Sequence, residues 1–82
     1  MENDPVKVGD HIRIVNYLMD GAMPVGIVES IDGAYIWVDC NIDGKHKSHK
    51  YKGHYELYPN EIVKITEAEY FRLILAGANK NV

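Results

Sequence analysis

PVGIVESIDGAYIWVDC, residues 24–40, is the stretch whose reading decides the fold. Two runs rich in Val, Ile and aromatics flank Asp32-Gly33, a dipeptide suited to the positive φ angles of a two-residue type I′ hairpin turn. Counting outward from that turn sets Ile31 opposite Ala34, Val28 opposite Trp37 and Val25 opposite Cys40. Side chains alternate across a strand, so one face carries Val25, Ile27, Ile31, Ala34, Ile36, Val38 and Cys40, with Glu29 its lone polar member. The other face carries Gly26, Val28, Ser30, Tyr35, Trp37 and Asp39. The first is a core face. The second is mixed, and its large apolar members need a cover or a partner.

On either side of the hairpin the pattern continues in short elements. Upstream, HIRIV at 11–15 alternates with Ile12 and Ile14 on one face and reads as a strand. NYLMDGAM at 16–23 is a connection with an Asp20-Gly21 turn, and its Tyr17, Leu18, Met19 and Met23 are apolar for a loop. The reading is that this loop folds over one end of the core, the alternative being an exposed contact loop of adaptable Met side chains. Downstream, Tyr51, Gly53, Tyr55 and Leu57 share one face of a strand whose other face carries Lys50, Lys52, His54 and Glu56. Pro59 lacks a donor, so 58–61 reads as a helical turn leading into a last strand at 62–65.

At Thr66 the period changes. TEAE at 66–69 is a capping box, with the Thr66 hydroxyl accepting from the Glu69 amide and Glu69 reaching back. The helix runs to about Ala76 with Gly77 as its C-terminal cap, and Tyr70, Phe71, Leu73, Ile74 and Leu75 make it apolar over more than half its circumference. So short a helix must dock, and the expected dock is the second hairpin face with Val28, Tyr35 and Trp37.

Eighty-two residues make one domain, with 46% hydrophobic and 26% charged residues, ordinary for a globular chain. The start MENDP has neither a basic nor an apolar leader region, and no apolar run approaches membrane-spanning length. Cys40 is the lone cysteine, which excludes an intramolecular disulfide and suits a reducing, cytoplasmic setting. Net charge is −3, yet residues 45–55 hold four lysines and three histidines without an acid, leaving five basic against twelve acidic side chains elsewhere.

The order of elements resembles the SH3-like small β-barrel of KOW and Tudor type. The resemblance is carried by VGDHIRI at 8–14, VGIVESI at 25–31 and YELYPNEIVKI at 55–65, and covers about residues 6–65. It implies a mainly β, five-stranded barrel that serves as a binding module for protein tails or nucleic acid. The helix is additional to the plain barrel. The expected organisation is a flexible start at 1–5, the barrel at 6–65, the helix at 66–77 packed on the barrel, and a tail at 78–82.

Chemistry is sparse. His46, His49 and His54 with Cys40 lack the paired spacing and fourth ligand of a structural zinc site, so no metal or other cofactor is expected. No Gly-rich phosphate loop, HExxH or G-x-S-x-G motif occurs, and the chain does not read as an enzyme. Glu29 reads as a barrel-rim carboxylate. The function expected is a small non-enzymatic binding or regulatory module that contacts a protein partner or larger complex, as an adaptor or inhibitor. Its partner-binding residues are Tyr17, Leu18, Met19, Lys47, Lys50, Lys52, His54 and Trp37. The alternative is a nucleic-acid-associated module of KOW type binding through the 45–54 strip, where lysines meet phosphates. No arginine stands in that strip, and the surrounding acids oppose a phosphate backbone. Monomer and homodimer are both compatible with the sequence.

Overall fold

The computed structural model describes residues 5–19, 21–40 and 54–79. Five antiparallel strands, β1 (His11–Ile14), β2 (Val25–Asp32), β3 (Tyr35–Asp39), β4 (His54–Leu57) and β5 (Ile62–Lys64), form one sheet in the order β4-β3-β2-β1-β5. A 3-10 turn, Pro59–Glu61, joins β4 to β5, and helix α1 (Glu67–Leu75) follows. The fold is mainly β with one helix. The barrel expected from the sequence is not closed, because β4 and β5 occupy opposite edges and no ladder joins them among the described residues.

The hairpin differs from its expected register, for two local reasons. Asp32 pairs with Tyr35, so the two central turn residues are Gly33 and Ala34 rather than Asp32 and Gly33. Only Gly33 has positive φ (62°), as a type II′ turn requires at its first central position. A register shift between Val28 and Ser30 then places Glu29 in a β-bulge. The extra residue inverts the remainder of β2, so that Val28 now pairs with Val38 and Ile27 with Asp39. Val28 therefore enters the core that the alternation denied it. Glu29, expected on the core face, is exposed instead, since the bulge removes it from the pleat.

The inner face of the sheet holds the main core: Ile12, Ile14, Val28, Ile36, Val38, Cys40, Leu57 and Ile62, with Val6 and Tyr55 packed against it. Close approach at Gly26 is part of this packing. A β-carbon there would lie 2.6 Å from Val38 Cγ1 and 2.8 Å from both the Asp39 carbonyl oxygen and Cys40 Sγ. Only glycine fits.

The outer face is covered by α1 at one end. Thr66 caps the helix, its Oγ1 accepting from Glu69 N at 3.1 Å, while the Glu69 carboxylate turns to Arg72 at 3.0 Å instead of reaching back to Thr66. At the other end Gly77 adopts φ 88°. There the Gly77 and Ala78 amides donate to the Ile74 and Leu73 carbonyls, both at 3.0 Å, which closes a Schellman motif. Tyr70 and Leu73 are buried against Val25, with Ile27, Ile65, Ile74 and Ala78 around them, and the Tyr70 ring meets His11 at 4.5 Å. Burial of those two side chains stabilises the docked helix by about 1.5–3 kcal/mol each. The expected dock on Val28, Tyr35 and Trp37 is thus corrected. The bulge puts Val25 and Ile27, not Val28, on the outer face, and the helix settles over them.

Asn79 secures this arrangement. Ile14 N donates to the Pro24 carbonyl and Val28 N to that of Asp10, so alternate residues of β2 turn to β1 while Val25 turns the other way. Its backbone meets the buried Asn79 carboxamide, which accepts from Val25 N at 2.9 Å and donates to the Val25 and Cys40 carbonyls at 2.8 and 3.1 Å. A side chain thereby supplies the hydrogen bonds of a neighbouring strand.

Candidate functional site

The helix leaves the opposite end of the outer face open, near the hairpin tip. Cross-strand pairing builds that surface row by row. Asp32 lies opposite Tyr35, and Ser30, Trp37 and Glu56 form the next row across β2, β3 and β4. Beyond Leu57, which pairs with Ile36, the chain brings Tyr58 beside Tyr35. The two rings lie 4.9 Å apart and their hydroxyls are hydrogen-bonded at 2.9 Å. Tyr35 is 40% and Tyr58 47% exposed, and Trp37 is half-buried.

The 3-10 turn fixes the Tyr58 position from below. The Tyr58 amide donates to the Glu61 carboxylate at 2.8 Å, and the Glu61 amide returns to the Tyr58 carbonyl at 2.9 Å. The Tyr35 hydroxyl is held above its ordinary pKa, first by the hydrogen bond to Tyr58 and further by the nearby Glu56 carboxylate. It stays protonated throughout the physiological range. The result is a patch of three aromatic rings beside the carboxylates of Asp32 and Glu56.

A second concavity lies under the hairpin tip on the inner side. Pro5, Val6, Ile31, Gly33, Ile36, Pro59, Ile62 and Lys64 line a groove of about 350 Å³. Its floor is core, since Ile36 and Ile62 are buried. Lys64 at its mouth pairs with Asp10 at 3.4 Å, and the Asp10 carboxylate also accepts from the Lys7 amide at 2.8 Å.

The residues singled out from the sequence are dispersed. Trp37 belongs to the aromatic patch. Tyr17 is 41% exposed with its ring edge-on to Tyr55 at 6.0 Å, Leu18 is half-buried, and Met19 stands fully in solvent. These three lie in the β1–β2 connection and do not join the patch. His54 opens β4 opposite Asp39. Lys47, Lys50 and Lys52, with His46, His49 and most of the lysine strip, fall outside the described residues.

Asp32, Glu56 and Tyr58 went unrecognised in the sequence. Tyr58 sits just before Pro59, where it reads as the entry to a turn, and the β3–β4 register that brings it beside Tyr35 is not set by the hairpin turn.

The chain's single cysteine takes no part in this surface. Cys40 is sealed in the core, where burial and then the Asp39 charge push its thiol up to about 12. Among the described residues no group of three His, Cys, Asp or Glu side chains could hold a metal ion, and no helix is long and apolar enough to cross a membrane. Comparisons with protein families, with curated proteins and with solved structures find no match to this chain.

Proposed function

We propose that this protein is a non-enzymatic binding module, resembling the SH3-like small barrels in the order of its elements, that contacts a protein partner through Tyr35, Trp37 and Tyr58. The observation that carries the reading is the division of the outer face. Helix α1 packs over Val25, Ile27 and Ile65, while the tyrosine pair stands outside both hydrophobic clusters with its rings exposed. Rigid aromatic side chains that lose little entropy on contact are the usual anchors of protein interfaces. The turn of helix between β4 and the closing strand, on which the resemblance to SH3-like barrels rests, supports the architectural part of the reading.

The test is affinity capture with the wild-type chain and with a Tyr35→Ala/Tyr58→Ala variant whose melting temperature matches it. A protein retained by the first and lost from the second is the expected result. Retention indifferent to both tyrosines refutes the assignment. A nucleic-acid role is the second reading, with its residues in the lysine strip at 45–54. Titration with RNA and DNA at rising salt separates it, since contacts to phosphate weaken steeply with salt.

A further inference from the structure

We propose that the partner is cationic: the outer face of β3 and β4 takes an extended peptide whose lysine or arginine seats on the Tyr35–Tyr58 rings, flanked by Asp32 and Glu56. This rests on the reading of that face as the partner site and adds the chemistry of what binds there.

Three observations converge on it. Ring faces carry negative quadrupole and attract a cation within about 6 Å. The two tyrosines hold one another's hydroxyls at 2.9 Å, so their rings are fixed before a ligand arrives. The tyrosine pair also has carboxylates beside it, Asp32 across from Tyr35 and Glu56 in the adjoining row, two residues before Tyr58. The described lysines and arginines lie elsewhere: Lys7 and Lys64 at Asp10, Arg13 with its Nε on the Met23 carbonyl at 2.8 Å, and Arg72 on Glu69.

The same arrangement disfavours other occupants. A polyphosphate backbone would face Asp32 and Glu56. A purely apolar peptide would strip water from both carboxylates without returning a partner. An extended peptide suits the geometry because its alternate side chains recur at about 6.6 Å, the spacing of Tyr35 and Trp37 along β3.

The test uses the full chain and Trp37, its single tryptophan, as the reporter. Capped hexa-arginine and hexa-lysine are titrated at low salt, with hexa-glutamate as the opposite-charge probe. The cationic peptides are expected to change Trp37 emission, hexa-glutamate is not, and the response should weaken as salt rises. Glu56→Gln and Asp32→Asn, which keep side-chain shape, should each weaken binding about two- to fivefold. The distant Glu67→Gln removes the same charge from α1 and should leave binding unchanged.

No Trp37 response to either cationic peptide overturns the proposal. So does equal weakening by Glu67→Gln, which would mean diffuse attraction to an acidic protein. Both results leave the capture experiment standing on its own: loss of a retained protein on Tyr35→Ala/Tyr58→Ala would keep the aromatic site and discard only its cationic ligand. Capture and peptide binding that are both indifferent to the tyrosines would remove the site itself.

Discussion

Replacing Asn79 with alanine tests the physical account of this fold most sharply. The side chain is 3% exposed and makes three hydrogen bonds to backbone groups, the Val25 amide and the Val25 and Cys40 carbonyls. Losing it leaves the Val25 amide without its acceptor and two carbonyls without their donor. A buried donor or acceptor left unpaired costs about 1–3 kcal/mol, and relaxation around the shortened side chain returns part of the sum. The expected loss is therefore about 2–4 kcal/mol. For a domain of this size that lowers the melting temperature by roughly 10–25 °C.

Urea unfolding followed by Trp37 emission and by far-ultraviolet circular dichroism gives the measurement. Asn79→Asp refines it. The carboxylate keeps an acceptor for Val25 but sets negative charge against the Val25 and Cys40 carbonyls, so near neutral pH it should be worse than alanine. Those carbonyls and burial raise the folded-state pKa of the new acid above its unfolded value of about 4. The variant should therefore lose stability relative to alanine as pH rises through that window and regain it on acidification. If Asn79→Ala unfolds within about 0.5 kcal/mol of wild type, the tether contributes nothing and the reasoning fails.

Three further outcomes are expected. Gly26→Ala should destabilise by about 1–3 kcal/mol in chemical denaturation, because its β-carbon meets Val38, Asp39 and Cys40 inside contact distance, and a neutral effect would refute the close approach. Cys40 should react with a thiol reagent only through unfolding, more slowly than a free cysteine by about a thousandfold or more, given its burial and its thiol pKa of about 12. Labelling of the native protein at the free-thiol rate would contradict that. The Asp10 carboxylate is held below its ordinary pKa, chiefly by the Lys7 amide and further by Lys64. Its contribution is thus complete above about pH 4 and fades as pH falls through the depressed value, so the stability gap between wild type and Asp10→Asn should close on acidification.

Local chemistry was legible wherever a few neighbouring residues decide the outcome. Thr66 and Gly77 mark the helix ends because capping and positive φ are satisfied within a turn. Ile12 and Ile14 mark β1 by alternation, and Pro59 marks the break before β5 because it has no amide to donate.

Tertiary structure decided what depends on register and on distant partners. One bulged residue, Glu29, reversed the faces of half of β2, and a strict two-residue period has no means of announcing it. That reversal moved the helix from Trp37 to Val25 and Ile27, and so left Tyr35 and Tyr58 in solvent. Asn79 gave no signal in the chain, since its partners lie 54 and 39 residues away. The sequence by itself determined the elements and their order, and the ends of the helix. Only the folded sheet determined which face each one shows, because a side chain's partner across a ladder is set by the whole register and not by its neighbours in the chain.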